Sequence, residues 1–280
     1  MTKRNLSPHR YTGRHVTNEG MELYIPTSGF EMPSLPSEVD PFAETSAQKF
    51  PLGTKLVYGE QTFRYCRNGG TALLVANLVQ AVVPLAGHIN EAITTWAVGD
   101  TTVGFTPNTV TTDDLAKDEL QDGYIYVYDN TGEGHMYKVA SHAALTGGES
   151  GNIVLLDPVR VAPIAASVAT IVHNRFFKVI VHPSPPTAAP LGWAPIPVTA
   201  DYFFWLLTAG PTTMMIDGTV VLGKQVRPSE DDNGAVAALT YDEGTSSGNS
   251  DYGPVGWVMD IGADAAGAAA TFGFGIATLE

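Results

Sequence analysis

A mostly β protein is expected from this 280-residue chain, on three observations. Charged residues make up only 16%, well under the usual quarter, so long solvated helices have too few polar positions to draw on. Glycine (29) and proline (19) are both plentiful, which favours turns over helix interiors. Short β-branched and aromatic runs alternate with turn dipeptides along most of the length. The predicted fold is a β-barrel or β-sandwich-like core of short antiparallel strands, with an extended N-terminal arm and few short helices. A chain of this length hides roughly 70–75% of its extended surface, so its core needs no covalent staples.

Residues 1–48 lack sustained periodicity. Pro26, Pro33, Pro36 and Pro41 each remove an amide donor and fix φ, which favours extended chain. Tyr24, Ile25, Phe30, Met32, Leu35 and Phe42 are nonetheless spaced along it like side chains destined for burial. The expectation is an arm that lies against another surface, including that of a neighbouring subunit. Residues 54–59 and 61–66 are strand-like and meet at a Gly59-Glu60 turn. Residues 71–83 fit a buried helix or two strands equally well. A helix is expected over residues 111–121, where Thr111 and Asp114 have capping-box spacing and Asp122-Gly123 ends the run.

The clearest hairpin joins residues 124–128 to 135–139 through a turn rich in Asn and Gly. Asn152 opens another strand, closed by Asp157-Pro158. A Pro-rich passage over 182–197 precedes the last part, although residues 175–181 are already strand-like. These shifts divide the chain into an arm (1–48), a β-rich subdomain (49–162) and a β-rich C-terminal subdomain (163–280). In the last, residues 202–208 are wholly apolar, as suits a central strand. Residues 213–216 and 219–222 flank Asp217-Gly218, a strong hairpin signal. Residues 255–261 and 271–279 complete the strands. There Phe272, Phe274 and Ile276 alternate with Gly273, Gly275 and Ala277, and the small face implies close backbone approach.

Charge and chemistry narrow the function. Lys and Arg number 15 against 29 Asp and Glu, so the net charge of −14 opposes broad wrapping of nucleic acid. Lys3, Arg4, Arg10 and Arg14 precede the first acid, whereas no cation follows Arg227; this asymmetry permits head-to-tail attraction within or between copies. Cys66 is the one cysteine, which excludes a disulfide framework. No apolar stretch reaches the roughly 18 residues of a membrane span. The N-terminus lacks an apolar signal core, so synthesis and retention in a cytoplasm are expected.

The seven histidines show no metal-ligand spacing, although His135 and His142 flank one hairpin strand. Residues 147–152 miss a nucleophile elbow because Asn152 stands where glycine is required. The acidic turn over 229–236 lacks the ligand spacing of a calcium loop. Trp193, Tyr202, Trp205, Tyr241, Tyr252 and Trp257 suggest a sugar-stacking platform, but Trp205 and Trp257 lie in apolar runs that read as core. No catalytic residue, metal or cofactor is assigned, and a non-enzymatic protein is expected.

The order of segments resembles the capsid decoration (cement) proteins of tailed bacteriophages. The likeness rests on Leu52-Gly53-Thr54 with the hairpin after it, on the Gly123-Tyr124 strand leading to Gly132 and Gly134, and on the aromatic strand before Gly210-Pro211 and Asp217-Gly218. It covers residues 50–280 and leaves the arm outside. The resemblance implies a structural virion protein, made in the host cytoplasm, that binds the outer surface of the phage head and stabilises it. Its implied partners are the major capsid protein and copies of itself as a homotrimer, without nucleic acid or membrane. Arg4, Arg10 and Arg14 are then expected to pair with shell carboxylates, and Tyr24, Ile25 and Phe30 to fill grooves on the shell or a neighbouring copy. A receptor- or glycan-binding head-fibre or tail adhesin is the alternative.

Overall fold

The computed structural model describes residues 11–36, 38–94, 96–108, 114–240, 252–261 and 271–280. Regular structure among them is strand throughout except for one 3-10 turn at Ala86–His88, in agreement with the expected β class. The chain builds two curled sheets. The first holds β1 (Gly13–Val16), β2 (Glu22–Ile25), β3 (Lys55–Tyr58), β4 (Gln61–Arg67) and β5 (Leu78–Gln80). To these it adds β12 (Ile180–Val181), β13 (Pro190–Trp193), β14 (Phe203–Ile216), β15 (Gln225–Pro228), β16 (Val236–Ala238), β17 (Gly256–Ile261) and β18 (Thr271–Thr278).

The second sheet is inserted between β5 and β12. It runs in the order β6 (Glu91–Ala92), β11 (Val168–Val172), β8 (Tyr124–Asp129), β9 (Met136–His142), β10 (Gly151–Leu155) and β7 (Thr102–Phe105). A bridge between Ile93 and Phe105 brings its two ends together around Trp96, Phe105, Ile125, Val139 and Ile153. The division expected at 162/163 therefore moves. β11 lies beyond that point, yet it pairs with β8, and Ala169 and Ile171 complete the second core. β4 and β5, in turn, pair with β14 and β13 of the C-terminal part.

β14 organises the first sheet. Its first half lies antiparallel to β4 and its second half antiparallel to β18. β17, β15 and β16 follow β18, and Val236 of β16 returns to Ile216 in parallel, closing a five-stranded barrel. The handover along β14 falls at Gly210, whose φ of +101° suits glycine and where a Cβ would lie 2.3 Å from Glu60 O.

A barrel of five strands is too narrow for large side chains from every strand. β18 turns Gly273, Gly275 and Ala277 inward, against Met214 and Ile216 of β14. A Cβ on Gly273 would collide with Ile216 Cδ1, and one on Gly275 would lie 2.5 Å from Trp257 O and 2.8 Å from Met214 Sδ. The close approach read from the small face is thus made within the barrel.

Two expected elements do not form. Residues 213–216 take β18 as their partner, so 219–222 leave as a loop with Val221 and Leu222 exposed, and Gly218 turns the chain without starting a hairpin. Residues 114–121 form turns; 111–113 lie outside the described residues. The amides that a helix would bond four residues back are captured elsewhere. Leu115 N–H donates to Leu145 O at 2.9 Å, Asp118 N–H to His142 O at 3.1 Å, and Asp122 N–H to Val139 O at 3.0 Å. Residues 71–83 form no helix: Leu73 bridges Val198, a turn at Val75-Ala76 follows, and β5 comes after it.

The described part of the arm lies on its own chain. β1 and β2 form a hairpin that extends the sheet beside β3, with Met21, Leu23 and Ile25 buried. Beyond it, Ser28 Oγ donates to the buried Asp122 carboxylate and Gly29 N–H donates to Asp122 Oδ1 at 3.0 Å. Lys138 Nζ lies 3.5 Å from the same oxygen and donates to Thr27 O at 2.5 Å.

Gly273→Ala is expected to cost about 1–3 kcal/mol by overpacking the barrel. Ile216→Val, worth about 0.5–1.5 kcal/mol alone, should recover part of that loss in the double variant, because it removes the colliding Cδ1. Urea denaturation of the four chains measures the coupling, and strictly additive losses would contradict the contact. Asp122→Ala should cost about 1–3 kcal/mol by leaving buried donors unpaired and expose residues 26–30 to limited proteolysis, whereas Asp122→Asn should keep most of the protection.

Candidate interaction surface

Strand pairing decides which side chains leave the barrel. Directly opposed residues share a sheet face, and Pro211, Thr213 and Met215 of β14 oppose Ile276, Phe274 and Phe272 of β18. On the other side of β18, Trp257 opposes Ile276, and Met259 follows two residues on. With glycine inside, the large side chains are outside: Trp257, Phe274, Phe272 and Met259 are 42–52% exposed. Gly223 N–H bonds Val258 O at 2.9 Å, which brings the loop carrying Val221 and Leu222 beside β17. Trp257, expected in the core, instead forms the outer wall.

A large side chain offers about 150–250 Å², so these residues with Ile276 present roughly 450 Å² of apolar surface. That reaches the size at which the largest patch on a monomer is commonly functional. Asp260 is the one charged residue on β17 and β18. Aromatic and methionine enrichment with charge depletion is the composition of a protein–protein interface core.

The chain matches no family model, no curated protein and no solved structure. Function is therefore argued from the surface itself.

The contact residues expected from the sequence are scattered. Arg4 and Arg10 lie outside the described residues. Arg14 is exposed on β1, but its guanidinium already bonds Glu22, through Nη2 at 2.5 Å and Nε at 3.2 Å. Tyr24 OH donates to the same carboxylate at 2.6 Å. Arg14, helped by Tyr24, holds the Glu22 carboxyl down at about 2. Tyr24 remains exposed, whereas Ile25 is 4% exposed and packs into its own chain, so it cannot fill a groove elsewhere. Phe30 is half-buried, its amide bonded to Ser28 Oγ at 2.9 Å. Arg14 and Tyr24 thus share the outer hairpin, four and three strands along the sheet from β14.

The remaining candidates for chemistry have structural partners. Ser229 Oγ donates to Asp217 at 2.6 Å and accepts the amides of Asp231 and Asp232, which builds the acidic turn. Among the described residues, no three of His, Cys, Asp and Glu converge to hold a metal ion. Burial pushes the Cys66 thiol well up, and its Sγ lies 3.6 Å from Phe204 O. His135 and His142 stand at opposite ends of β9 and do not meet. The His142 ring accepts the Leu120 N–H on Nε2 at 2.9 Å, which places its proton on Nδ1, 2.6 Å from Ala143 O.

Burial is the main cause that lowers the His142 pKa below its ordinary value, against the opposing field of Asp118 and Glu119. Folding therefore favours the neutral ring. The stability it contributes is in place above the unfolded pKa of about 6.5 and is lost as pH falls below it. The melting temperature should fall between pH 7.5 and pH 5.5, and His142→Gln should shrink that difference in parallel melts; an unchanged difference would remove His142 as its source.

Proposed function

We propose that this chain is a structural protein of a bacteriophage virion, a capsid decoration (cement) protein. In this reading it associates with copies of itself, as a homotrimer, and docks on the major capsid protein at the outer surface of the head. The observation that carries the reading is the outer face of the barrel. A closed barrel has already paired its ladder groups, so a partner meets side chains alone. Phe272, Phe274, Trp257 and Met259 supply apolar area on two strands that carry no Lys or Arg.

The resemblance of the segment order to cement proteins supports the same reading. The net charge of −14 turns the molecule away from packaged nucleic acid and keeps it soluble before assembly. Repetition over a shell lets a modest contact give large stabilisation through avidity. The exposed Arg14–Glu22–Tyr24 cluster offers a second, polar contact at the sheet edge.

The mass of the protein in solution and its cosedimentation with empty, expanded capsids test the reading. A trimer that pellets stoichiometrically is expected. The Phe272→Glu, Phe274→Glu double variant changes exposed positions and should leave the melt nearly unchanged, while shell binding falls by about tenfold or more. Unchanged pelleting of that variant would remove the barrel face as the docking surface. A wild-type protein that ignores shells would overturn the cement reading altogether.

A further inference from the structure

A cleft of about 540 Å³ opens between the β1–β2 turn, residues 38–50 and the part of the first sheet where β4 meets β14. Tyr65 and Trp205 pack at its base and are only 2% and 3% exposed, so the ring surface open to a guest is that of half-exposed Phe42 and Tyr58, which also line it. Three carboxylates line the same space: Glu19 from the turn, and Glu38 and Asp40 from the crossing segment. All three are exposed, and among the described residues none of them makes an ion pair. Asp40 accepts the Phe42 N–H at 2.8 Å. Lys49 is the lining cation, so three carboxylates less one ammonium leave the cleft with two negative charges in excess.

Aromatic walls and an excess of carboxylate favour one class of guest. A lysine or arginine side chain lays its aliphatic stem along apolar rings and brings a cation to their faces. Its head group then meets carboxylates in charge-assisted hydrogen bonds. A neutral saccharide would stack on the rings but leave the excess charge uncompensated. We infer that this cleft receives a basic polypeptide segment, which lays a lysine or arginine side chain against Phe42 and Tyr58 beside Glu38 and Asp40. The inference goes beyond the shell-binding reading and does not depend on it, because the second half of β14, β17 and β18 form the barrel face and contribute nothing to the cleft.

Calorimetric titration of the full-length protein with the acetylated, amidated pentapeptide Arg-Pro-Arg-Pro-Arg tests it without shells. The prolines hold the probe extended. One-to-one saturable binding that weakens at high salt is expected. The Glu38→Gln, Asp40→Asn double variant keeps an acceptor for the Phe42 amide and should weaken binding about five-fold. Phe42→Ala, at an exposed position, should weaken it by a similar factor. Absence of binding at low salt, or binding that both variants leave unchanged, overturns the inference. Titration with N-acetylglucosamine is expected to be silent; saturable sugar binding lost in Phe42→Ala would assign the cleft to saccharide and overturn it as well.

Discussion

The inner face of β18 presents Met214 and Ile216 with glycine at 273 and 275 and a single methyl group at Ala277, and this lets β14 and β18 close a five-stranded barrel. Much of the first sheet follows from that contact. Half of β14 is committed to the barrel, so its other half is free to carry β4 and, through it, β3 and the N-terminal hairpin. Because side chains alternate strictly along a strand, glycine inside forces Phe272, Phe274 and Ile276 outside. The apolar outer face is thus the geometric complement of a narrow barrel interior.

Polar contacts, not apolar packing alone, hold the two sheets in register. Asp122 is buried between them and collects Ser28, Gly29 and Lys138, while Asn174 Nδ2 donates to its carbonyl at 3.2 Å. Nearby, Glu119 accepts Lys178 Nζ at 2.6 Å and lies 3.8 Å from His173 Nε2. His173 first, then Lys178 and the Ala116 amide, hold the Glu119 carboxyl well below the usual carboxylate range despite burial. Buried charges so well bonded resist separation, because pulling the sheets apart would strand them unpaired.

The two surfaces assigned to partners obey different physics. The barrel face offers shape and apolar area with few charges, and its strength would come from repetition. The cleft offers opposite charge over aromatic rings, which confers selectivity for a basic segment more than raw affinity. Their placement on different strands would let one molecule hold both proposed partners at once. The net charge of −14 opposes self-association of a chain with an exposed Trp257.

Features written locally were legible in the sequence. The β8–β9 hairpin forms where expected because Asn130, Gly132 and Gly134 accept the positive φ its turn requires. The apolar run at 202–208 became the first half of β14, and 271–279 became β18 with its two unlike faces. Those faces hinted at the candidate surface, but alternation alone does not say which side is covered. The Asp217-Gly218 hairpin and the helix expected over 111–121, in its described part 114–121, do not form for one shared reason. Both are local preferences worth about 1 kcal/mol, and non-local partners outweigh them: β18 took the ladder of 213–216, and β9 and Leu145 took the amides of Leu115, Asp118, Leu120 and Asp122. The sequence by itself determined the β class, the turns and the periodicity of each strand, since these depend on neighbouring residues. Only the tertiary structure decided that 13–25 joins its own sheet, that Trp257 faces solvent, and that Glu19 shares one cleft with Glu38 and Asp40. Those outcomes depend on which strand finds which partner, and pairing is set by long-range packing that no short window of sequence contains.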